Sequence, residues 1–134
     1  MHRHLISFTL LTVPATLETV RKLARTLPDV QESTCHGTPA FYVRKKLILR
    51  MWDDGETLVV RCPIPRRNEL IDENPDVFFV TDHYRAYPCV LMNLLATDQS
   101  VLAAMVQNAW TMYASKKQLA AFQHSSRAGA SAPP

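Results

Sequence analysis

The chain has 134 residues, 47% hydrophobic and 20% charged, a size and balance that suit one globular domain and leave little room for a second. A formal net charge of +3 permits a polyanionic partner without demanding one, because dedicated nucleic-acid modules are usually more lopsided. The three cysteines, Cys35, Cys62 and Cys89, are odd in number, far apart and lack a C-x-x-C spacing, which excludes a disulfide framework and points to reduced thiols in a cytoplasmic protein.

The first sixteen residues, "MHRHLISFTLLTVPAT", combine a basic start with an apolar run from Leu5 to Val13. The run is too short to span a bilayer. Ser7, Thr9 and Thr12 interrupt it, so residues 1–15 read as an N-terminal extension rather than an export signal. From Thr16 the period changes. Leu17, Val20, Ala24 and Leu27 recur at helical spacing, with Glu18, Arg21, Lys22 and Arg25 opposite, and Pro28 stops the helix. "QESTCHGTP" reads as a loop closed by a turn at Gly37–Pro39.

Three strands are predicted next. Phe41–Val43 is short, and Arg44-Lys45 makes a two-residue connection to Leu47–Trp52. In the second strand Leu47, Leu49 and Met51 are expected on one face, and Ile48, Arg50 and Trp52 on the other. "DDGE" is a hairpin turn with Gly55 able to take positive φ, and "TLVVRC" returns with Leu58, Val60 and Cys62 facing away from Val59 and Arg61. A short helix fits between Pro65 and Pro75. "DVFFVT" and "CVLMNLLA" read as strands around a "DHYRAYP" loop. One long helix from Thr97 or Asp98 to about Gln123 follows, with Leu102, Met105, Val106, Ala109, Trp110 and Tyr113 on one stripe. Residues 16–123 therefore form the expected domain, and 124–134 a small-residue tail expected to be disordered. The order implies an α+β fold, a largely antiparallel β-sheet with two long helices packed on one face.

No catalytic constellation emerges. Cys35 and His36 are neighbours on an extended segment and point apart. Adding His83 and Cys89 gives no zinc-ligand spacing, and His2-x-His4 sits at the chain start. With three glycines there is no phosphate-cradling loop. A non-enzymatic protein with no metal and no cofactor is expected.

The cations are better organised. Between Arg44 and Arg67 lie seven, namely Arg44, Lys45, Lys46, Arg50, Arg61, Arg66 and Arg67, against three acids confined to one turn. Arg85 follows inside "HYRAYP", between two tyrosines. Such residues supply sequence-independent affinity for phosphates.

The segments "LPDVQEST-HGTPAFYVRKKL" and "PDVFFVTDHYRAYP-VLMNL", with "AW" in the last helix, resemble the MmcQ/YjbR family over roughly residues 16–122. The resemblance implies a compact CyaY-like (frataxin-like) α+β fold, described as a double wing, and DNA as the partner. The wings would be Arg44–Lys46 or Asp53–Glu56 for one, and Asp82–Tyr87 for the other. Two positions depart from the family's usual pattern: Ala86 where glycine is common and Cys89 where tryptophan is common.

Two functional expectations result. The first is a cytoplasmic DNA-binding protein that grips phosphates through Arg44, Lys45, Lys46, Arg50 and Arg61, with Arg66, Arg67 and Arg85 adding contacts. The second is a small-molecule or protein-interaction module whose groove is built from His36, Tyr42, His83, Tyr84 and Tyr87. They differ in where the cations fall. One continuous basic face fits DNA; cations around an aromatic cleft fit a ligand.

Overall fold

A computed structural model of the protein describes residues 14–130, and side chains as far as His124. The run Leu5–Val13, together with His2 and His4, lies outside the described residues.

Helix α1 (Leu17–Arg25) starts at Thr16 through a reciprocal cap. The Thr19 N–H donates to the Thr16 hydroxyl at 3.4 Å, and the Thr16 N–H donates to the Thr19 hydroxyl at 3.1 Å. Next come β1 (Gln31–Cys35), β2 (Thr38–Val43), β3 (Lys46–Met51) and β4 (Thr57–Arg61). Helix α2 (Ile64–Glu73) leads to a two-residue strand, β5 (Phe78–Phe79), and then β6 (Cys89–Asn93). Helices α3 (Gln99–Tyr113) and α4 (Lys116–Ala130) close the described chain.

The six strands form one antiparallel sheet in the order β1-β2-β3-β4-β6-β5. Helices α1 and α3 pack together, α3 lies against β3 and β4, and α2 lies against β5 and β6. Their shared core includes Val20, Phe41, Leu49, Leu58, Val60, Leu102 and Trp110. The Trp110 indole also donates to the Pro28 carbonyl at 2.9 Å, tying α3 to the turn after α1. The expected fold class is the one observed, an α+β domain with helices against one sheet face.

Several local expectations are corrected. The "QEST" segment is strand β1, not loop; as an edge strand exposed over Gln31–Thr34 it needs no apolar alternation. Its hairpin to β2 turns on His36 and Gly37, both at positive φ (52° and 80°), so β2 starts at Thr38 and not Phe41. In β3 the pairing with β2 jumps from Phe41↔Leu49 to Tyr42↔Leu47, leaving Ile48 as the extra residue of a bulge. Ile48 therefore joins Leu49 and Met51 in the helix-side core, while Leu47 lines the opposite face with Arg50.

A further correction concerns the last helix, which breaks at Ala114 (φ −68°, ψ 145°). Ser115 and Gln118 cap α4 reciprocally, through Gln118 N–H to Ser115 Oγ at 3.0 Å and Ser115 N–H to Gln118 Oε1 at 2.8 Å. Phe122 then packs on Trp110 with ring centroids 5.3 Å apart. Helical backbone continues to Ala130, into the segment expected to be a disordered tail. The strand expected over "DVFFVT" shrinks to Phe78–Phe79, because the chain turns away into a 3₁₀ turn at Asp82–Tyr84.

Candidate functional site

The sheet face opposite the helices carries its own small apolar cluster. Register builds it: Arg50 pairs with Val59, Val59 with Leu91 and Leu91 with Phe79, while Arg61 pairs with Cys89. Residues opposite one another point to the same side of the sheet. Val59, Cys89 and Leu91 are buried there beneath Trp52, Phe79 and Tyr84. The Trp52 ring lies 6.4 Å from both Phe79 and Tyr84, and His83 meets Tyr84 edge-on at 4.7 Å.

Between this cluster, the His36 turn and the Thr81–Tyr87 loop lies a cleft of about 620 Å³. Its walls are Leu47, Trp52, Val59, His83, Tyr84, Tyr87 and Cys89, with Arg50 and Arg61 as the charged members and no carboxylate. Positive φ at His36 aims the first hairpin turn so that this residue reaches the rim. Tyr87, 52% exposed, stands at the opening.

Both arginines are half-buried and fixed by the backbone. Arg50 donates through Nε to the Cys35 carbonyl at 3.3 Å and through Nη1 to the Tyr84 hydroxyl at 2.9 Å. Arg61 donates through Nε to the Leu47 carbonyl at 2.9 Å. Burial pushes the Cys89 thiol up, against the pull of Arg61 and Arg67, and burial likewise raises Cys62 despite Arg66 and Arg67. Cys89 lies at the cleft floor, buried among apolar neighbours.

The cations expected on one surface separate into several settings. Arg67 is a correction: only 3% exposed, it is no phosphate contact. Its Nη1 donates to the carbonyls of Tyr87 (3.0 Å) and Cys89 (3.3 Å), and its Nη2 to that of Arg85 (3.0 Å). Its Nε is buried with no partner among the described residues, where those three carbonyls carry the compensation for burying the charge. Arg66 is exposed but paired with Glu69 (3.0 Å) and Glu73 (3.6 Å), and Arg85 is paired with Asp82 (2.9 Å).

Arg44 and Lys45 form the two-residue β2–β3 turn, both at positive φ (51° and 65°). Arg44 Nη1 reaches the Tyr113 carbonyl at 3.3 Å. Lys45 and Lys46 are exposed, without an ion pair among the described residues.

Of the expected groove residues, His36, His83, Tyr84 and Tyr87 line the cleft. Tyr42 does not; its hydroxyl donates to the Thr34 carbonyl at 3.0 Å, and burial, then Cys35, raise its pKa. Trp52, Leu47 and Val59 are wall residues that sequence reasoning did not assign to the groove. The alternation of β4 put Val59 beside Arg61, but nothing in the sequence showed that the 81–87 loop would cover them. Ala86 is not at positive φ, so this turn has no need of the glycine common in the resembled family.

The family model described as YjbR matches residues 25–112. The chain belongs to the YjbR family. The YjbR chain is 38% identical over 53 residues to the uncharacterized protein Mb2600 of Mycobacterium bovis and to the uncharacterized protein Rv2570 of Mycobacterium tuberculosis. Each match covers 40% of this chain and 41% of the relative, so the chain spans about two fifths of the curated relatives it matches. The YjbR fold is also that of the crystal structure of Deinococcus radiodurans protein DR2400, a DUF419 domain. That match has a TM-score of 0.66 at 16% identity and covers 81% of this chain and 88% of the other. Among the described residues no helix is long and apolar enough to cross a membrane, and no cluster of three potential metal ligands occurs.

Proposed function

We propose that this YjbR protein is a binding module for a small organic molecule, held on the open sheet face and not chemically transformed there. The observation that carries this reading is the cleft of about 620 Å³, walled by Trp52, Tyr84 and Tyr87 over an apolar floor. Its size falls in the range of small-molecule sites, and flat aromatic walls favour a flat ligand. The distribution of cations supports the same reading: Arg50 and Arg61 turn into the cleft, while Arg66, Arg67 and Arg85 are taken up by partners within the protein. The free thiols of Cys35, Cys62 and Cys89 support a reducing, cytoplasmic setting.

Thermal unfolding of the protein with a set of planar one- and two-ring compounds tests this. Binders should raise Tm in the wild type and lose most of that effect in Trp52→Ala. A set that raises no Tm, or binders indifferent to Trp52→Ala, would contradict the cleft as the site.

A second reading, DNA binding, is favoured by one observation. The Arg44–Tyr113 hydrogen bond brings the Arg44–Lys46 turn beside the α3–α4 junction, where Lys116 and Lys117 are exposed. Five cations from two segments then form a surface separate from the cleft. Fluorescence anisotropy of a short labelled duplex at two salt concentrations tests it. Replacing Arg44, Lys45 and Lys46 by Ala should weaken binding and lower the salt slope by about one per cation. No binding at low salt would remove this reading.

A further inference from the structure

Resting on the cleft reading, we infer that the occupant carries an anionic group, a carboxylate or phosphate, on its flat body, and that the guanidinium of Arg61 reads it.

Arg61 is built for this. Its Nε is spent on the Leu47 carbonyl at 2.9 Å, which fixes the side chain, while no described residue accepts from Nη1 or Nη2. Neither Nη atom is among the buried unpartnered atoms, so neither is fully buried, and Arg61 lines the cleft. A guanidinium held at one nitrogen and open at the other two presents a planar pair of donors, the geometry that matches two oxygens of a carboxylate or phosphate.

Charge supplies a second, independent argument. Arg50 faces Val59, so Arg61 is its diagonal neighbour on the same sheet face, a spacing of roughly 7–8 Å or less in antiparallel pairs. Arg50 spends its bonds on two neutral acceptors, the Cys35 carbonyl and the Tyr84 hydroxyl. Neither arginine forms an ion pair among the described residues, and no carboxylate lines the cleft. Two half-buried like charges on an apolar floor repel one another, and an anion between them relieves both. A cationic ligand would add a third positive charge. A neutral one would leave the repulsion in place.

The experiment is an NMR-detected titration of the full chain with three probes of one shape: 2-naphthoate, 2-naphthyl phosphate and the neutral 2-naphthamide. At least one anionic probe should bind about tenfold or more tightly than the amide. The tighter of the two anions identifies the head group. That advantage should fall to near unity in Arg61→Met and be only partly kept in Arg61→Lys, which retains charge without the fork. Equal affinity of all three probes for the wild type would overturn the anion inference and leave the cleft standing. An advantage that survives Arg61→Met would overturn the role of Arg61. Failure of all three probes to bind would remove the cleft reading along with it. Should Arg61→Met not fold, the wild-type comparison and Arg61→Lys still decide.

Discussion

Arg50 in β3 donates to the hydroxyl of Tyr84 at 2.9 Å, joining the middle of the sheet to the loop that walls the cleft. The bond links residues 34 positions apart, and with Arg67 it forms the polar attachment of the 81–87 loop to the body of the domain. Tyr84→Phe keeps the ring and removes the acceptor. It should destabilise the protein by about 1 kcal/mol in urea unfolding, since both partners are half-buried. Amide exchange over 82–87 should quicken. Unchanged exchange there would show that the bond does not hold the loop.

Arg67 has the larger effect. Arg67→Met fills similar space but strips the carbonyls of Arg85, Tyr87 and Cys89 of a donor. The expected cost is on the order of 2–4 kcal/mol, measured as the shift in urea midpoint at constant m-value. A loss below about 1 kcal/mol would mean that those carbonyls find other partners.

The β2–β3 turn stores strain, because Arg44 and Lys45 both occupy left-handed backbone conformations. Asn-Gly is the pair suited to such a turn. The double substitution Arg44→Asn/Lys45→Gly should stabilise the protein by roughly 1–2 kcal/mol, reduced slightly by loss of the Arg44–Tyr113 contact. Cleft-ligand affinity should not change. A fall in duplex affinity in the same variant would assign the strained turn a part in DNA binding.

Asp54 makes the β3–β4 hairpin sensitive to acid. Burial pushes its carboxyl up, but the Glu56 N–H (2.9 Å), the Thr57 hydroxyl (2.8 Å) and the Thr57 N–H (3.0 Å) together hold it below the ordinary value of 3.8. A folded-state pKa below the unfolded one gives stability that is full above the unfolded value and lost as pH falls through the folded value. The wild type should therefore be more stable than Asp54→Asn at neutral pH. The gap should close below pH 3.8. A gap independent of pH in urea unfolding would show that the carboxylate charge contributes nothing.

What the sequence made legible follows from how much of each signal is local. Helix α1, the Gly55 hairpin and the Leu58/Val60 core face depend on nearby residues and their period, and all three are found. Strand β1 was hidden because an edge strand with both faces in solvent has no apolar alternation to read. The Ile48 bulge was hidden because strict alternation through Leu47–Met51 is the simplest reading of an apolar run, and only pairing with β2 reveals the slip. The break before α4 did carry a local signal, the capping sequence S-K-K-Q at Ser115–Gln118, masked by helical spacing on either side. At the site, His36, His83, Tyr84 and Tyr87 were legible as a group. The burial of Arg67 was not, since its three carbonyl partners lie 18 to 22 positions away.

On the proposed reading, the open sheet face receives a small molecule. The most direct test is a single amide and side-chain NMR map of the protein, recorded first with a planar ligand from the thermal screen and then with duplex DNA. The expected result is that the small molecule shifts the Trp52 indole and the amides of Tyr84, Tyr87 and Arg61, leaving Arg44–Lys46 and Lys116-Lys117 unmoved. Shifts confined to the hairpin and the α3–α4 junction with DNA, and none at Trp52 or Tyr84 with any small molecule, would contradict it.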